Sequence, residues 1–261
     1  MRPVNLIFEA FGESDACPII ILHGFLASAR NWRTVANRLA VNHRVYVLDQ
    51  RNHGASPHAE NMDYPAMAAD VLHFMDNMGL GTAHLLGHSM GGKVAMWFAM
   101  HYPERVGKLI VVDIAPVNYS HSFDPVLHAL RKLPLENLAN RKQAELHLAG
   151  VIPDLGFRQF LLQNLMLRDG VYFWRINLDI IHGNAHYVVG FPQTSLTSYD
   201  APALFVVGEH SDYVDHIAVI DKFPNAKICE IPGTGHWLYV EAPEIFCNLV
   251  LSWLEEMMIS Q

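Results

Sequence analysis

Gly87-His88-Ser89-Met90-Gly91 decides how this chain is read. One serine stands between two glycines. It follows the apolar run Ala83, Leu85 and Leu86 and precedes the helical pattern Val94, Ala95, Trp97 and Phe98. A G-x-S-x-G segment between strand and helix displays a nucleophile above the end of a sheet. So tight a turn strains the serine backbone, and glycine on either side leaves room for it. The hydroxyl then stands clear of the sheet. The N–H of Met90, at the helix start, points to where an oxyanion would form.

Outward from this turn, short β-branched runs alternate with longer helical patterns. Ile19–Leu22 reads as a buried strand, Asn31–Leu39 as a helix and Arg44–Leu48 as a strand. Tyr64–Met78 is helical, with Met67, Val71, Phe74, Met75 and Met78 at i, i+3, i+4 spacing, and its methionines fill core. Thr82–Leu86 is a strand, Met90–His101 a helix and Lys108–Val112 a strand. This alternation predicts a mostly parallel sheet with helices on both faces. Val4–Phe8 reads as an extra edge strand.

The rhythm breaks from about Ala115 to Tyr199, where no buried strand is legible. Short helical patterns lie at Pro125–Arg131, Glu136–Leu148 and Leu155–Leu165, followed by a mixed aromatic stretch at Val171–Ile176. Strands resume at Ala203–Val207 and Ala226–Ile231, and a helix over Pro243–Met257 closes the chain. The pattern predicts a core of residues 1–114 and 200–261, with residues 115–199 inserted as a helical lid.

With 261 residues, about half of them apolar, the chain can build one substantial core with a small subdomain. A formal charge of −8 supplies no basic field for nucleic acid. The N-terminus lacks the apolar stretch of a signal peptide, and no apolar run approaches the roughly 20 residues of a membrane span. Three cysteines without a C-x-x-C suit free thiols in a reducing cytoplasm.

Ser89 needs a base, because its hydroxyl is a weak nucleophile at neutral pH. The chain has 16 histidines, so position must choose. Active groups in parallel α/β sheets sit at the C-terminal ends of strands. His236, in Gly233-Thr234-Gly235-His236-Trp237, lies just past the strand ending at Ile231. Two aspartates qualify as the acid that holds the imidazole. Asp113 ends the strand at Val112, and Asp212 follows the later strand in Gly208-Glu209-His210-Ser211-Asp212. An acid in that later loop usually stands three residues past the glycine, where this chain has Ser211.

A second oxyanion donor is expected from His23-Gly24-Phe25, through the N–H of Phe25 or its neighbour Leu26, with His23 bracing the loop. His182 and His186 share helical spacing but lack a glutamate pattern, so no metal site is predicted. Lys93 reads as an ordinary exposed helix residue. Phe123, Phe157, Phe160, Tyr172, Phe173 and Trp174 either wall a substrate pocket or pack the lid down.

Beyond the serine turn, Asp49-Gln50-Arg51-Asn52-His53-Gly54-Ala55-Ser56, Val112-Asp113-Ile114-Ala115-Pro116-Val117 and Gly235-His236-Trp237 add more specific matches. With His23-Gly24-Phe25 and Gly87–Lys93, they make the chain resemble the α/β-hydrolases, and specifically the YbfF-type bacterial esterases. The resemblance covers nearly everything outside residues 115–199. It implies an α/β-hydrolase fold: a mostly parallel, eight-stranded-type sheet flanked by helices, with an inserted helical lid. It places the acid on the aspartate of D-I-A-P, here Asp113, and makes Asp212 a departure and a back-up. It implies carboxylesterase activity on short to medium acyl esters, extending to acyl-CoA thioesters, and no cofactor; with the cysteine usage, a cytoplasmic monomer or homodimer is expected. The expected site is Ser89, His236 and Asp113 with the Phe25 and Met90 N–H groups. A carbon–carbon bond hydrolase or cofactor-free perhydrolase would use the same triad, and a hydrolase-fold ligand receptor is the reading from another class. Dehalogenases and epoxide hydrolases would need an aspartate at position 89.

Overall fold

The computed structural model describes residues 2–13, 15–195 and 198–256. The first half of the chain runs β1 (Phe8–Phe11), β2 (Pro18–Leu22), α1 (Arg33–Leu39), β3 (Arg44–Leu48), α2 (Tyr64–Asn77), β4 (Ala83–His88), α3 (Met90–His101) and β5 (Val106–Val112). Then come α4 (Asp124–Arg131), α5 (Arg141–Leu148), α6 (Leu155–Leu162), β6 (Leu165–Arg168), β7 (Val171–Trp174) and α7 (Leu178–Val189). The chain closes with β8 (Ala203–Gly208), α8 (His216–Lys222), β9 (Ala226–Ile231), α9 (Leu238–Glu241) and α10 (Pro243–Glu255). Met257, where the last helix was expected to end, lies outside the described residues.

Among the described residues the main sheet has seven strands, in the order β1-β3-β2-β4-β5-β8-β9. Only β1 runs antiparallel to its neighbour. Successive side chains of a strand face opposite ways, and both faces here are covered. Ile20, Leu22, Leu85, Leu109 and Val111 pack on one side with α2 and α3. Ile19, Ile21, Leu86, Ile110 and Val112 pack on the other with α1 and α10. This two-sided burial makes the strands read as continuous apolar runs.

The edge strand is displaced from its expected place: Phe8–Phe11 pairs, whereas residues 4–7 do not. Their donors are taken by side chains instead, Val4 N–H by Asp70 Oδ1 at 2.7 Å and Ile7 N–H by Ser56 Oγ at 2.8 Å. With no further strand beyond β1, the sheet stops at seven among the described residues, one fewer than the eight-stranded pattern.

β5 and β8 are hydrogen-bonded neighbours, so everything between Val112 and Ala203 leaves the sheet and returns beside it. Asn140, Asp154 and Asn177 cap α5, α6 and α7 by accepting backbone N–H bonds. The capping at Asn140 explains why that helix starts at Arg141 rather than at Glu136. The aromatic stretch is half of a β6–β7 hairpin. Asp169-Gly170 turns it with φ of 51° and 80°, as a two-residue I′ turn requires. Leu127, Leu130, Leu161, Leu165 and Ile181 from this segment join the same apolar cluster as α2 and α3.

Candidate active site

Ser89 lies between β4 and α3 with φ 52° and ψ −120°, a conformation that costs a non-glycine residue energy. A Cβ on Gly87 would come within 2.2 Å of the Gly91 carbonyl oxygen, and one on Gly91 within 2.2 Å of the Leu22 oxygen. The turn closes only with glycine at both places. Ser89 N–H donates to Val112 O at 3.0 Å, which ties it to the end of β5. The serine hydroxyl lines a cavity of about 410 Å³.

Asp113 follows β5, has φ 52° and is fully buried. Its N–H reaches Val206 O of the adjacent β8 at 2.9 Å. Its carboxylate collects three donors. Oδ2 accepts from His236 Nδ1 at 2.7 Å and from the Ser211 hydroxyl, and Oδ1 accepts from Gly208 N–H at 3.0 Å. A hydrogen bond at Nδ1 leaves His236 Nε2 for another partner. The His236 ring stacks on Tyr213, with centroids 4.2 Å apart. From below, His88 Nε2 bonds the His236 carbonyl oxygen at 2.9 Å, and burial drives the His88 pKa well below its usual value. Glu241 accepts from Gly235 N–H and Glu209 from Gly233 N–H, each at 2.6 Å, so the whole loop is tied down.

Asp212 stands exposed and makes no bond to His236. The residue one place earlier, Ser211, holds Asp113 instead. In the sequence Ser211 stands where a later-loop acid would be, and that spacing is the one local signal for its place beside Asp113.

In the loop after β2, Leu26 has φ 60° and donates its N–H to His53 Nε2 at 3.1 Å. Its N–H is therefore occupied, whereas Phe25 N–H has no protein acceptor among the described residues. Met90 N–H opens α3, where a helix offers no acceptor of its own. Because His53 Nε2 accepts a backbone N–H, its proton sits on Nδ1 and is given to Arg51 O at 2.9 Å. Burial takes the His53 pKa down to about 3, which preserves that neutral acceptor. His23 braces the same loop: Nε2 accepts from Gln50 N–H at 3.1 Å, and Nδ1 bonds Gly24 O at 2.8 Å. The R-N-H-G-A-S stretch is thus scaffolding for the loop. Arg51 pairs with buried Asp70 through Nε and Nη2 at 2.6 and 2.7 Å, and Ser56 bonds Asp49 O.

Phe25, Phe123, Phe157, Phe160 and Trp237 give the cavity apolar walls, and His121, its pKa lowered by burial, is a polar exception beside Tyr213. The other three expected aromatics, Tyr172, Phe173 and Trp174, sit in the β6–β7 hairpin and do not line it. Lys93 is not an exposed helix residue. It is fully buried, and its ammonium bonds the carbonyls of Val117, Val189 and Gly190 and lies 4.4 Å over Tyr119. Burial brings its pKa to about 7. One side chain therefore fastens both arms of the 115–199 segment, at Val117 and at Val189–Gly190, to the helix behind Ser89. His182 faces Asp124 at 3.6 Å, and the His186 ring lies tilted against Tyr187 with centroids 4.0 Å apart. Among the described residues no helix is long and apolar enough to cross a membrane.

Residues 18–243 match the family model described as alpha/beta hydrolase fold. The chain is similar to the sn-1-specific diacylglycerol lipase ABHD11 of Danio rerio, with 36% identity over 97% of this chain and 83% of that protein. It is 32% identical to Esterase YbfF of Escherichia coli (strain K12), over 95% of this chain and 96% of that one. Among solved structures, one described as a marine microorganism esterase is 40% identical, with a TM-score of 0.91 over 95% of this chain and 99% of its own.

Proposed function

This chain belongs to the alpha/beta hydrolase fold family and is a hydrolase of the carboxylesterase type, and on that premise we propose that it works through an acyl-enzyme on Ser89. In this reading His236 is the base, Asp113 the acid behind it, and the Phe25 and Met90 N–H groups form the oxyanion hole. The observation that carries it is the 2.7 Å bond from His236 Nδ1 to buried Asp113, with His236 and Ser89 lining one cavity.

The chemistry follows from that tautomer. With its Nδ1 proton held by Asp113, His236 presents a basic Nε2 and takes the Ser89 proton as the serine oxygen attacks the ester carbonyl. The Ser89 hydroxyl has no hydrogen bond within the protein among the described residues, and such contacts tighten only when substrate is bound. Negative charge moves to the carbonyl oxygen, where the two backbone donors hold it. The tetrahedral species collapses, and the alcohol leaves with the proton from His236. Water, losing a proton to the same nitrogen, then releases the acid and restores Ser89.

The apolar walls suit short to medium acyl chains, and the same attack on a thioester carbonyl would release a thiol, which brings acyl-CoA within the reading. Residues 115–199 serve as the lid that shapes this pocket. Three free cysteines fit work in a reducing cytoplasm. A panel of p-nitrophenyl acetate, butyrate and octanoate with acetyl- and butyryl-CoA tests the reading. The expected outcome is steady turnover of the shorter esters by the native protein and its loss in Ser89→Ala. Unchanged turnover in Ser89→Ala would overturn it.

A further inference from the structure

We propose that Arg30, Arg141 and Arg175 form a phosphate-binding site that engages the leaving-group side of the ester substrate; this rests on the Ser89 reading above. The three arginines, with Gln163 and Met166, wall a cavity of about 420 Å³ in a chain whose net charge is −8. They come from separate places: Arg30 from the turn after the oxyanion loop, Arg141 from the start of α5, and Arg175 from the residue after β7. None of the three is in an ion pair among the described residues, whereas Arg33, Arg38, Arg51, Arg105 and Arg131 each have a carboxylate partner. Gathering like charges without a counterion is unfavourable, and an anion removes that cost.

The polar groups identify the anion. Arg141 is held in place by the carbonyls of Leu162 and Leu165. The Arg30 and Arg175 guanidinium groups make no hydrogen bond to the protein among the described residues. Gln163 uses its Oε1 to accept from Asn31 Nδ2 at 2.8 Å, which leaves its amide N–H groups for a ligand. The cavity therefore offers donors and positive charge. A group with several acceptor oxygens and more than one negative charge matches it, and phosphate does so through paired guanidinium contacts.

Position links this cavity to Ser89. Gln163 also lines an adjoining cavity of about 570 Å³, together with Phe157, Phe160, Trp237 and Tyr239. Those four residues line the Ser89 cavity as well. An ester with its carbonyl at Ser89 can run its alcohol or thiol portion along this wall to the arginines.

Two measurements test this. The first compares kcat/KM for 1-butyrylglycerol and 1-butyrylglycerol 3-phosphate in the native protein, in Arg30→Gln and in the Arg30→Gln/Arg175→Gln double variant. The second titrates inorganic phosphate by calorimetry. The expected result is a preference of about tenfold or more for the phosphorylated ester, as charge-assisted hydrogen bonds provide, expressed in KM and erased in the double variant. Taking the ratio of two esters within each variant cancels general damage, and exposed Arg30 alone keeps the test valid if the double variant folds poorly. Phosphate binding that needs the arginines, with no preference between the esters, would make a free anion the ligand and overturn the link to substrate. No phosphate binding and no preference would overturn the site itself. If neither ester is cleaved, p-nitrophenyl butyrate is turned over equally by the native protein and Ser89→Ala, and phosphate still binds through the arginines, the Ser89 reading falls and the anion site stands.

Discussion

At the ends of β2, β4 and β5, nearly every polar group beside the Ser89 cavity is held by a second one. His53 fixes Leu26, Ser211 and Gly208 fix Asp113, and His88 fixes the backbone of His236. Across the cavity, the 115–199 segment presents mostly Phe123, Val126, Phe157 and Phe160. The first region is a set of directed hydrogen bonds on strand ends, and the second is a shaped apolar wall on capped helices. The contrast carries the proposed division of labour: on the Ser89 reading, geometry accurate enough for proton transfer would come from the sheet, and the preference for one acyl group over another from the segment facing it.

The contrast is broken most sharply at the acid. Asp113→Asn should lower kcat by about 10³- to 10⁴-fold, because the amide cannot hold the required imidazole tautomer. Asp212→Asn should change it less than about twofold, as surface substitutions away from special contacts do. Steady-state turnover of p-nitrophenyl butyrate decides between them, and a reversed pattern would reassign the acid. On the facing wall, Phe157→Ala or Phe160→Ala should shift the ratio of kcat/KM for octanoate over acetate by about tenfold, the scale of a few methylenes of pocket contact. An unchanged chain-length profile would remove the segment from selectivity.

A smaller effect concerns acid. Burial lowers the pKa of His53 to about 3 and of His84 to about 4, and moves His23 and His88 downward too. All four belong to the sheet or its loops. Folded, His53 and His84 stay neutral down to those values and burial disfavours the charged forms of His23 and His88; unfolded, all four take up protons below the ordinary histidine pKa of about 6.5. The unfolded state thus binds more protons between about pH 6.5 and 4, and stability falls as the pH drops through that window. The melting temperature should decline steadily from pH 7 to pH 4. A flat profile would show that these imidazoles charge without unfolding.

Much of this division was legible in the sequence, for physical reasons. β2 to β5 are buried on both faces, so they read as apolar runs, and the Ser89 turn announces itself because only glycine fits beside it. His236 followed from its place after a strand. The residues by themselves left Asp113 and Asp212 open and only the resemblance favoured Asp113; the adjacency of β5 and β8, which brings Asp113 beside Gly208 and Ser211, is carried by no local pattern. Ser211 on Asp113 was hidden for the same reason. The β6–β7 hairpin escaped because its strands are four residues long and partly exposed, leaving only Asp169-Gly170 as a signal. Lys93 misled because a charged side chain on a helix is normally solvated, and only the returning chain at Val189 and Gly190 supplies the carbonyls that bury it.

The proposed role of Ser89 is read directly by covalent labelling. Treating the native protein with p-nitrophenyl diethyl phosphate and mapping the modified peptide by mass spectrometry should place one diethylphosphoryl group on Ser89, in step with loss of ester hydrolysis. Inactivation with the label on any other residue, or full activity in protein labelled at Ser89, would contradict it.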